Sequence, residues 1–427
     1  MLLILSVHLL LEIWADVLSN ILYLVHRIPF PPNKGDKVRS FHLLKYLSLR
    51  HNIYLGAFID DPLDVAYIPE VKKFCVDSLF LEINSFKSKF KSVFGIFHDS
   101  PLTLSYYFNT SLREWVGDLL LKKKIDKIII FSSAMSQYVD HVNDIDILVD
   151  FVDVDSLKWS EYALKHIFPM SLVYRREATK LLQYERFVAT RSRQSFFVSD
   201  NESSLFKDLA PECIDKISTI NNGVDSEYFS SDFSCSSPFE TGSFGPDSRF
   251  LVFTGAMDYW PNIDAVVWFV NEIFPKLQRV RKNLYFYIVG RNPSTQVLAL
   301  ASDSVVVTGT VADVRPYLKF ASVVVAPLRI ARGIQNKILE AMAMGCPVVA
   351  STICVNSMAV ESETDLLSAE SSDEFFYQIN KLLNSVDLSH SVGEAARCKV
   401  QEKYSWTAHL SQIDQYLDEP TFHLLHE

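Results

Sequence analysis

Short apolar runs that alternate with helical stretches constrain the fold of this 427-residue chain more than any other feature. Most of the runs are β-branched or aromatic and apolar throughout, which is typical of parallel strands buried on both faces. They lie at 21–25, 53–58, 127–131, 146–151 and 195–198, then at 250–254, 284–289, 304–308, 322–326 and 347–350. Helical periodicity lies between them; residues 261–277 carry one apolar stripe. The alternation predicts the α/β class with doubly wound parallel sheets.

A polar segment separates the two series of strands. Residues 226–249 are rich in Ser, Gly, Pro and acidic residues, as a linker would be. The predicted organisation is an N-terminal extension (1–20), a Rossmann-like domain (21–228), a linker (229–249) and a second Rossmann-like domain (250–400). Open parallel sheets bind ligands beyond the carboxyl ends of their strands, so a ligand cleft between two such domains is expected.

Composition excludes several classes of protein. With 48% hydrophobic and 22% charged residues the chain is globular, and its net charge of −10 argues against a protein that coats nucleic acid. The six cysteines form no CxxC pair, which excludes a disulfide framework or zinc ribbon and favours a reducing cytoplasm. Residues 1–11 are apolar but too short to span a bilayer. We interpret 1–20 as an amphipathic helix or an early start codon, with a cleaved signal or anchor as the alternative.

The most informative segment is 326–352, APLRIARGIQNKILEAMAMGCPVVAST. A loop with Arg329, Arg332 and Gly333 follows a predicted strand, and a helix is expected from about Gln335 through Ala343. Lys337 and Glu340 are three residues apart and share one helix face. Positive charge at a helix start predicts an anion site, such as one for a diphosphate, and Glu340 could accept from two ribose hydroxyls. The alternative is a solvated helix with ordinary charges.

A second candidate loop, PFPPNKGDKVR at 29–39, follows the first predicted strand and precedes a helix expected at 40–49. Gly35 would let the backbone come close to a ligand, although the loop is not a GxGxxG dinucleotide fingerprint. Lys34, Lys37 and Arg39 either face solvent or contact a ligand.

Acidic residues close the strand at 146–151. Asp153-Val154-Asp155 could be read as a DxD metal motif, but the motif is short and weak, and such enzymes have one nucleotide-binding domain. Capping of a strand end or of a helix start is the other interpretation. His26, His42 and His98 are interpreted as packed or surface residues, and no HExxH, GxSxG or Walker motif is present.

The 326–352 segment resembles the donor-site signature of the group 4-like retaining glycosyltransferases, which have the GT-B fold. That signature is a glycine loop, a Lys, Glu-Ala-Met-Ala, a Gly and Pro-Val-Val. More specifically, the chain resembles the sugar transferases associated with PEP-CTERM and exosortase exopolysaccharide systems. The segments that carry this resemblance are 23–44, 149–159, 221–225, 253–262 and 327–343.

The resemblance implies two Rossmann-like domains facing a central cleft, with the acceptor on the first and the nucleotide sugar on the second. It also implies that a C-terminal helix, at about 401–418 within the segment 401–427, packs back on the first domain. The implied activity is retaining hexosyl transfer from a nucleotide-diphosphate donor to a saccharide or lipid-linked saccharide in exopolysaccharide biosynthesis. No cofactor, metal or nucleic acid is expected. The expected location is the cytoplasm, with peripheral contact at the inner membrane face as a further expectation.

The residues and the resemblance together give the candidate site residues. The catalytic candidates are Lys337, Arg329 and Asp153. The donor-binding candidates are Gly255, Arg332, Gly333, Lys337, Glu340 and Gly35. The acceptor-side candidates are Asp36, Lys37, Arg39 and Asp150.

One departure from the family pattern leaves alternatives open. The family has two glutamates eight positions apart; Glu340 matches the second, but Arg332 stands at the first, which puts the donor sugar in doubt. A sugar-nucleotide epimerase and a non-catalytic nucleotide-sugar-binding subunit therefore remain alternatives. The base, the sugar, the acceptor and the linkage do not follow from the sequence.

Overall fold

The computed structural model describes residues 18–32, 34–83, 100–239, 244–331 and 334–418. Nearly all of the predicted extension at 1–20, and His98, lie outside the described residues. The chain divides into two compact units. The first unit runs to Asn222 and takes up the chain again from Leu410, whereas the second is Gly223–His409.

The first unit is built on a seven-stranded parallel sheet in the order β3-β2-β1-β4-β5-β6-β7. Its strands are β1 (Asn20–Val25), β2 (Asn52–Ile59), β3 (Asp77–Glu82), β4 (Lys127–Phe131), β5 (Asp146–Val152), β6 (Gln194–Phe197) and β7 (Ile217–Thr219). The central strand β1 pairs with β2 and β4, so that Tyr23 lies opposite Leu55 and Ile129. Residues 21–25 of β1 are fully buried, which explains their unbroken apolar character.

Helices connect and flank these strands. They are α1 (Gly35–Ser48), α2 (Ile68–Lys72), α3 (Leu102–Tyr106), α4 (Thr110–Lys122), α5 (Asp155–Lys165), α6 (Met170–Arg191) and α7 (Asp200–Leu209). Short 3-10 helices occupy Pro62–Tyr67, Ser133–Tyr138 and Pro211–Lys216.

The second unit has a six-stranded parallel sheet in the order β10-β9-β8-β11-β12-β13. Its strands are β8 (Arg249–Thr254), β9 (Leu284–Val289), β10 (Val305–Gly309), β11 (Val323–Ala326), β12 (Val348–Ser351) and β13 (Leu367–Ala369). Its helices are α8 (Trp260–Trp268), α9 (Phe274–Val280), α10 (Thr295–Leu298), α11 (Arg315–Lys319), α12 (Asn336–Ala343), α13 (Thr352–Val355), α14 (Ser372–Asn384), α15 (Val386–Lys403) and α16 (Trp406–Leu410). A π-helical turn, Phe269–Ile273, joins α8 to α9.

The predicted fold class is confirmed: two doubly wound parallel sheets carry every strand expected from the sequence. Three further strands, β3, β7 and β13, were not predicted. All three are edge strands of their sheets, and β7 and β13 have only three residues each. An edge strand is covered less completely, so its sequence need not be continuously apolar; β3 reads DSLFLE and is exposed or half-buried throughout.

Two predicted helices differ from the structure. The helix expected at 40–49 begins at Gly35, so residues 35–39 of the predicted loop 29–39 are helical. Asp36 lies in the first turn of this helix, where an acidic side chain is favourable. The helix predicted at 261–277 is present but contains the π-helical turn just before Pro275, which has no N–H to donate.

The C-terminal region is also not one helix. A helix expected at about 401–418 is broken into the end of α15, then α16, a 3-10 turn at Ser411–Ile413 and α17 (Asp414–Leu417). The break has a local cause: Val224 donates its N–H to Tyr404 O at 2.8 Å and forms a parallel bridge with Ser405. A Cβ on Gly223 would lie 2.5 Å from Trp406 N, so a glycine is required at this close approach.

The segment after this break contacts the first unit. Tyr46 donates to Asp414 Oδ2 at 2.7 Å, and Arg50 pairs with the same oxygen at 2.8 Å. Phe196 and Tyr416 pack with ring centroids 5.7 Å apart. Among the described residues no helix has the length and apolar content to cross a bilayer.

Candidate functional site

Three of the candidate donor residues, Gly255, Lys337 and Glu340, lie at the switch point of the second sheet. Strand order reverses between β8 and β11, so the loops after these neighbouring strands leave in different directions and open a crevice. Gly255 directly follows β8, Gly290 follows β9, and the loop after β11 leads into α12. The helix predicted from about Gln335 to Ala343 is confirmed as α12, with Gln335 as its N-cap.

Two glycines let the backbone segments after β8 and β9 approach each other. A Cβ on Gly290 would lie 1.6 Å from Gly255 O, a distance that no side chain tolerates. A Cβ on Gly255 would lie 2.8 Å from Asn262 Nδ2 and 3.0 Å from Lys337 Nζ. Gly255 therefore leaves its backbone open to a ligand at the point where the Lys337 ammonium arrives. Gly290 was not identified from the sequence.

Lys337 lies in the first turn of α12 and points back toward the end of β8. Its Nζ donates to Asn262 Oδ1 and lies 4.5 Å from the centre of the Phe253 ring. Burial lowers the pKa of Lys337 to about 8, although the nearby Cys354 and Glu340 oppose this shift. The ammonium is thus poorly solvated, which is a favourable condition for binding an anion that would replace the lost water.

Asn262 organises this corner and was missed as a site residue. Its Oδ1 accepts from Lys337, while its Nδ2 donates to Ala256 O at 2.8 Å. It is buried near the start of α8, just after Pro261. The only sequence signal at this position is the pair Pro261-Asn262, which is typical of a helix start and does not by itself indicate a binding site.

Glu340 lies one turn after Lys337 on the same helix. Burial raises the pKa of Glu340, and the Lys337 charge only partly offsets this. Among the described residues no side chain or backbone N–H donates a hydrogen bond to its carboxylate. A half-buried carboxylate without a donor is suited to bind hydroxyl groups of a ligand.

Arg329 does not join Lys337. Its guanidinium forms a two-point ion pair with Asp264, with Nε 2.9 Å from Oδ2, and lies 5.6 Å from the Trp268 ring centre. Asp264 and Asn262 are two residues apart on α8 and so point to roughly opposite sides of the helix. Arg329 therefore binds the side of α8 away from Lys337, and its catalytic role stays a prediction. Arg332 and Gly333 lie outside the described residues.

The first unit has polar residues at its own switch point, between β1 and β4. His26 and Arg27 directly follow β1, and both contact Asp36 in the first turn of α1; His26 Nε2 is 3.4 Å from Asp36 Oδ2. Burial acts to raise the pKa of Asp36, but hydrogen bonding with His26 and the Arg27 charge outweigh it and hold that pKa well below its usual range. Arg27 also pairs with Asp60 at 2.8 Å. Asp36 is thus an ionised carboxylate at this edge of the sheet. The Nδ1 atom of the neighbouring His26 is buried and has no hydrogen-bond partner among the described residues.

Lys37, Arg39 and Asp150 are buried in ion pairs. The sequence left Lys37 and Arg39 as solvent-facing or ligand-binding, but the structure buries both, at 1% exposure each. Lys37 pairs with Asp64, and Arg39 Nε lies 2.7 Å from Asp150 Oδ2. Their acceptor-side role stays a prediction, whereas their structural role is visible. For Gly35, a Cβ would meet no atom within 4 Å, so the protein's own packing does not require glycine there.

The two carboxylates of the DxD-like stretch share a lysine. Asp153 Oδ2 and Asp155 Oδ1 each accept from Lys158 Nζ at 2.9 Å. Over the described part of the chain, no group of three or more His, Cys, Asp or Glu side chains could hold a metal ion. The catalytic assignment of Asp153 stays a prediction.

Comparison with known families gives this crevice a context. Residues 248–385 match the family model described as glycosyl transferases group 1. Over these residues the second unit is therefore similar to the group 1 glycosyl transferases. The matched range contains Gly255, Asn262, Gly290, Lys337 and Glu340, and covers less than half of the chain. No curated protein matches the chain in sequence.

Solved structures of similar fold cover nearly the whole chain. A glycosyltransferase from Rickettsia africae is 15% identical with a TM-score of 0.61, covering 96% of this chain and all (100%) of that one. Anabaena HepE, solved in complex with UDP and glucose, is 14% identical with a TM-score of 0.55 and coverages of 94% and 99%. Sucrose-phosphate synthase from Thermosynechococcus elongatus is 16% identical with a TM-score of 0.53 and coverages of 94% and 98%. At these identities the likeness shows the fold, the two Rossmann-like domains expected from the sequence.

Proposed function

We propose that this protein is a retaining glycosyltransferase of the hexosyl type that takes its sugar from a nucleotide-diphosphate donor. The observation that carries the proposal is the corner formed by Gly255, Asn262 and Lys337, within the domain that matches the group 1 glycosyl transferases. In that corner the ammonium of Lys337 would neutralise the departing diphosphate. Glu340 would accept from the ribose hydroxyls, and Gly255 would let the diphosphate approach the backbone.

The acceptor is proposed to be a saccharide or lipid-linked saccharide of exopolysaccharide biosynthesis, bound by the first unit. Asp36, with His26 and Arg27 around it, is the best placed group there, because it lies at the carboxyl edge of the first sheet. We also propose a cytoplasmic location, which the six free cysteines support. Metal independence remains part of the proposal, since Asp153 and Asp155 are both held by Lys158.

A nucleotide screen followed by a transfer assay tests this function. One of the three nucleotides UDP, GDP and ADP should raise the Tm of the protein in a thermal unfolding experiment. UDP is the first candidate because HepE was solved with it. The matching sugar nucleotide should then yield a glycoside of unchanged anomeric configuration by NMR, with full activity in EDTA. Absence of stabilisation by all three nucleotides would contradict the proposal.

The same assay separates the alternatives. An epimerase would change the sugar of the nucleotide donor without any acceptor. A non-catalytic subunit would bind the nucleotide sugar yet show no transfer and no epimerisation. Loss of activity on addition of EDTA, restored by manganese, would contradict metal independence.

The pKa of Lys337 predicts how donor binding depends on pH. Because burial lowers this pKa to about 8 in the free protein, the lysine is charged below that pH and neutral above it. UDP affinity should therefore be level between about pH 7 and 8 and fall above that, approaching about tenfold per pH unit. Isothermal titration from pH 7 to 9 measures this, with Lys337→Arg as a variant whose charge persists. An affinity for UDP that stays level through pH 9 would show that the lysine charge does not contact the diphosphate.

A further inference from the structure

An exposed apolar tip projects from the first unit where α5 turns into α6. The chain reverses through His166, Ile167, Phe168 and Pro169 between the two helices, which pack along each other. Leu164 is 81% exposed, Ile167 87% and Phe168 75%. Met170 and Leu172 continue the exposed apolar surface on α6. Apolar side chains grouped at a protruding turn mark an interaction site, since scattered single ones would need no explanation.

An aromatic layer lies directly behind this tip. Trp159 and Tyr174 have ring centroids 5.5 Å apart, and His166 and Tyr174 are 5.0 Å apart. Tyr162 joins them, 6.2 Å from Tyr174, and its backbone carbonyl contacts His166 Nδ1 at 2.8 Å. Trp and Tyr are the residues enriched where a membrane protein crosses from hydrocarbon to headgroup.

Cations dominate the charge of the same hairpin. Residues 155–176, from the start of α5, contain Lys158, Lys165, Arg175 and Arg176 against Asp155 and Glu161, a sequence charge of 4 − 2 = +2 in a chain of −10. Of the four cations, Lys158 is paired with Asp155. Arg175 is exposed on α6, one turn behind Leu172. The order from the tip inward is thus apolar, aromatic and then basic, which is the order of hydrocarbon, interface and anionic headgroup in a bilayer.

The base of the hairpin is fixed to the first unit. Glu177, buried on α6, accepts from the N–H groups of Leu102 and Thr103 at 2.6 and 2.9 Å. Glu185 accepts from the N–H of Ser156 at the start of α5, at 3.2 Å. These hydrogen bonds fix the base of the hairpin to the first unit. Because α5 has 11 residues, the tip lies about 16 Å along the helix from the carboxyl end of β5.

We propose that the α5–α6 hairpin tip is a membrane anchor that inserts Leu164, Ile167 and Phe168 into the surface of a bilayer rich in anionic lipid. The layered order of side chains favours a bilayer over a second copy of the chain, because a protein interface needs no such sequence of apolar, aromatic and basic layers. The proposal is independent of transferase activity, since none of the three inserted side chains is a candidate donor or acceptor residue. It places the first unit on the membrane.

Flotation with lipid vesicles tests the anchor. The full chain should float with vesicles of phosphatidylcholine and phosphatidylglycerol, and less with phosphatidylcholine alone. The double variant Ile167→Ser and Phe168→Ser should lower the bound fraction at least about tenfold, because each side chain loses its transfer into the apolar phase. Leu121→Ser is the matched control, since Leu121 is 86% exposed but lies on α4 of the same unit and not on the hairpin. It should float like the wild type.

Three results would overturn the proposal. They are a wild-type chain that does not float, a double variant that floats as well as the wild type, and an oligomer seen by ultracentrifugation that the double variant dissociates. The last would make the tip a contact between copies of the chain. Far-UV circular dichroism and thermal unfolding verify that the variants are folded, as expected for substitutions of exposed side chains.

Discussion

Replacing Lys337 by Met should weaken the binding of a nucleotide diphosphate at least about a hundredfold and lower transfer by a similar or larger factor. The methionine fills the same space between Phe253 and Asn262 but removes the charge. Stability should not fall, because burial already disfavours the Lys337 ammonium, as its lowered pKa shows. The expected signature is therefore lost binding at an unchanged or slightly higher Tm.

Titration calorimetry with UDP and thermal unfolding without ligand measure the two effects separately. Lys276→Met is the matched control, since Lys276 also forms an ion pair on the second unit, with Asp373, but lies on α9 outside the crevice. That control should bind UDP as the wild type does. If Lys337→Met also bound UDP normally, the diphosphate assignment would be wrong even if the protein proved to be a transferase.

Replacing Arg39 by Met should destabilise the first unit by about 3–5 kcal/mol. Arg39 is 1% exposed and holds three partners: Asp150 at 2.7 Å, Ile220 O at 2.7 Å and Asn222 Oδ1 at 3.0 Å. Without it, Asp150 would be left as a buried unpaired carboxylate, and burial already raises the pKa of Asp150 despite the arginine. The other oxygen of Asp150 accepts from Val152 N–H, which holds that β-branched residue at a φ of 69°.

Urea unfolding followed by circular dichroism measures this loss of unfolding free energy. The pH dependence of the unfolding free energy gives a second measure. With the charge of Arg39 gone, the folded-state pKa of Asp150 should rise further, so the variant should lose stability as pH rises above the unfolded-state value near 4. Arg50→Met is the control, because Arg50 is 39% exposed where it pairs with Asp414, and its loss should cost less than about 1 kcal/mol. A similar small loss for Arg39→Met would show that the buried pair does not support the fold.

Adding Asp150→Leu to Arg39→Met separates structure from acceptor binding. The double variant removes both charges and should recover part of the lost stability, as buried ion pairs replaced by apolar residues often do. If transfer returns with stability, the pair acts through the fold. If stability returns and transfer does not, one of the two residues contacts the acceptor as the sequence predicted.

The sequence by itself determined the class of fold and the position of the helix start that carries Lys337. Runs such as those of β1 and β4 are apolar on both faces, and only a sheet covered on both sides accommodates them. The start of α12, with Lys337 in its first turn, followed from local signals as well. Such properties depend on neighbours along the chain, so they can be read without knowing the fold.

The tertiary structure alone decided which charges are buried and what they contact. Arg39 and Asp150 are 111 positions apart, and Lys337 meets Asn262 across 75 positions, so no local pattern could pair them. Arg329 looked equivalent to Lys337 in sequence, yet it turns to Asp264 because its partner lies on the other side of α8. The exposure of the apolar tip of the α5–α6 hairpin likewise became visible only in the folded chain. Pairing and exposure depend on which elements meet in space, and that is set by the packing of the whole domain and not by spacing along the chain.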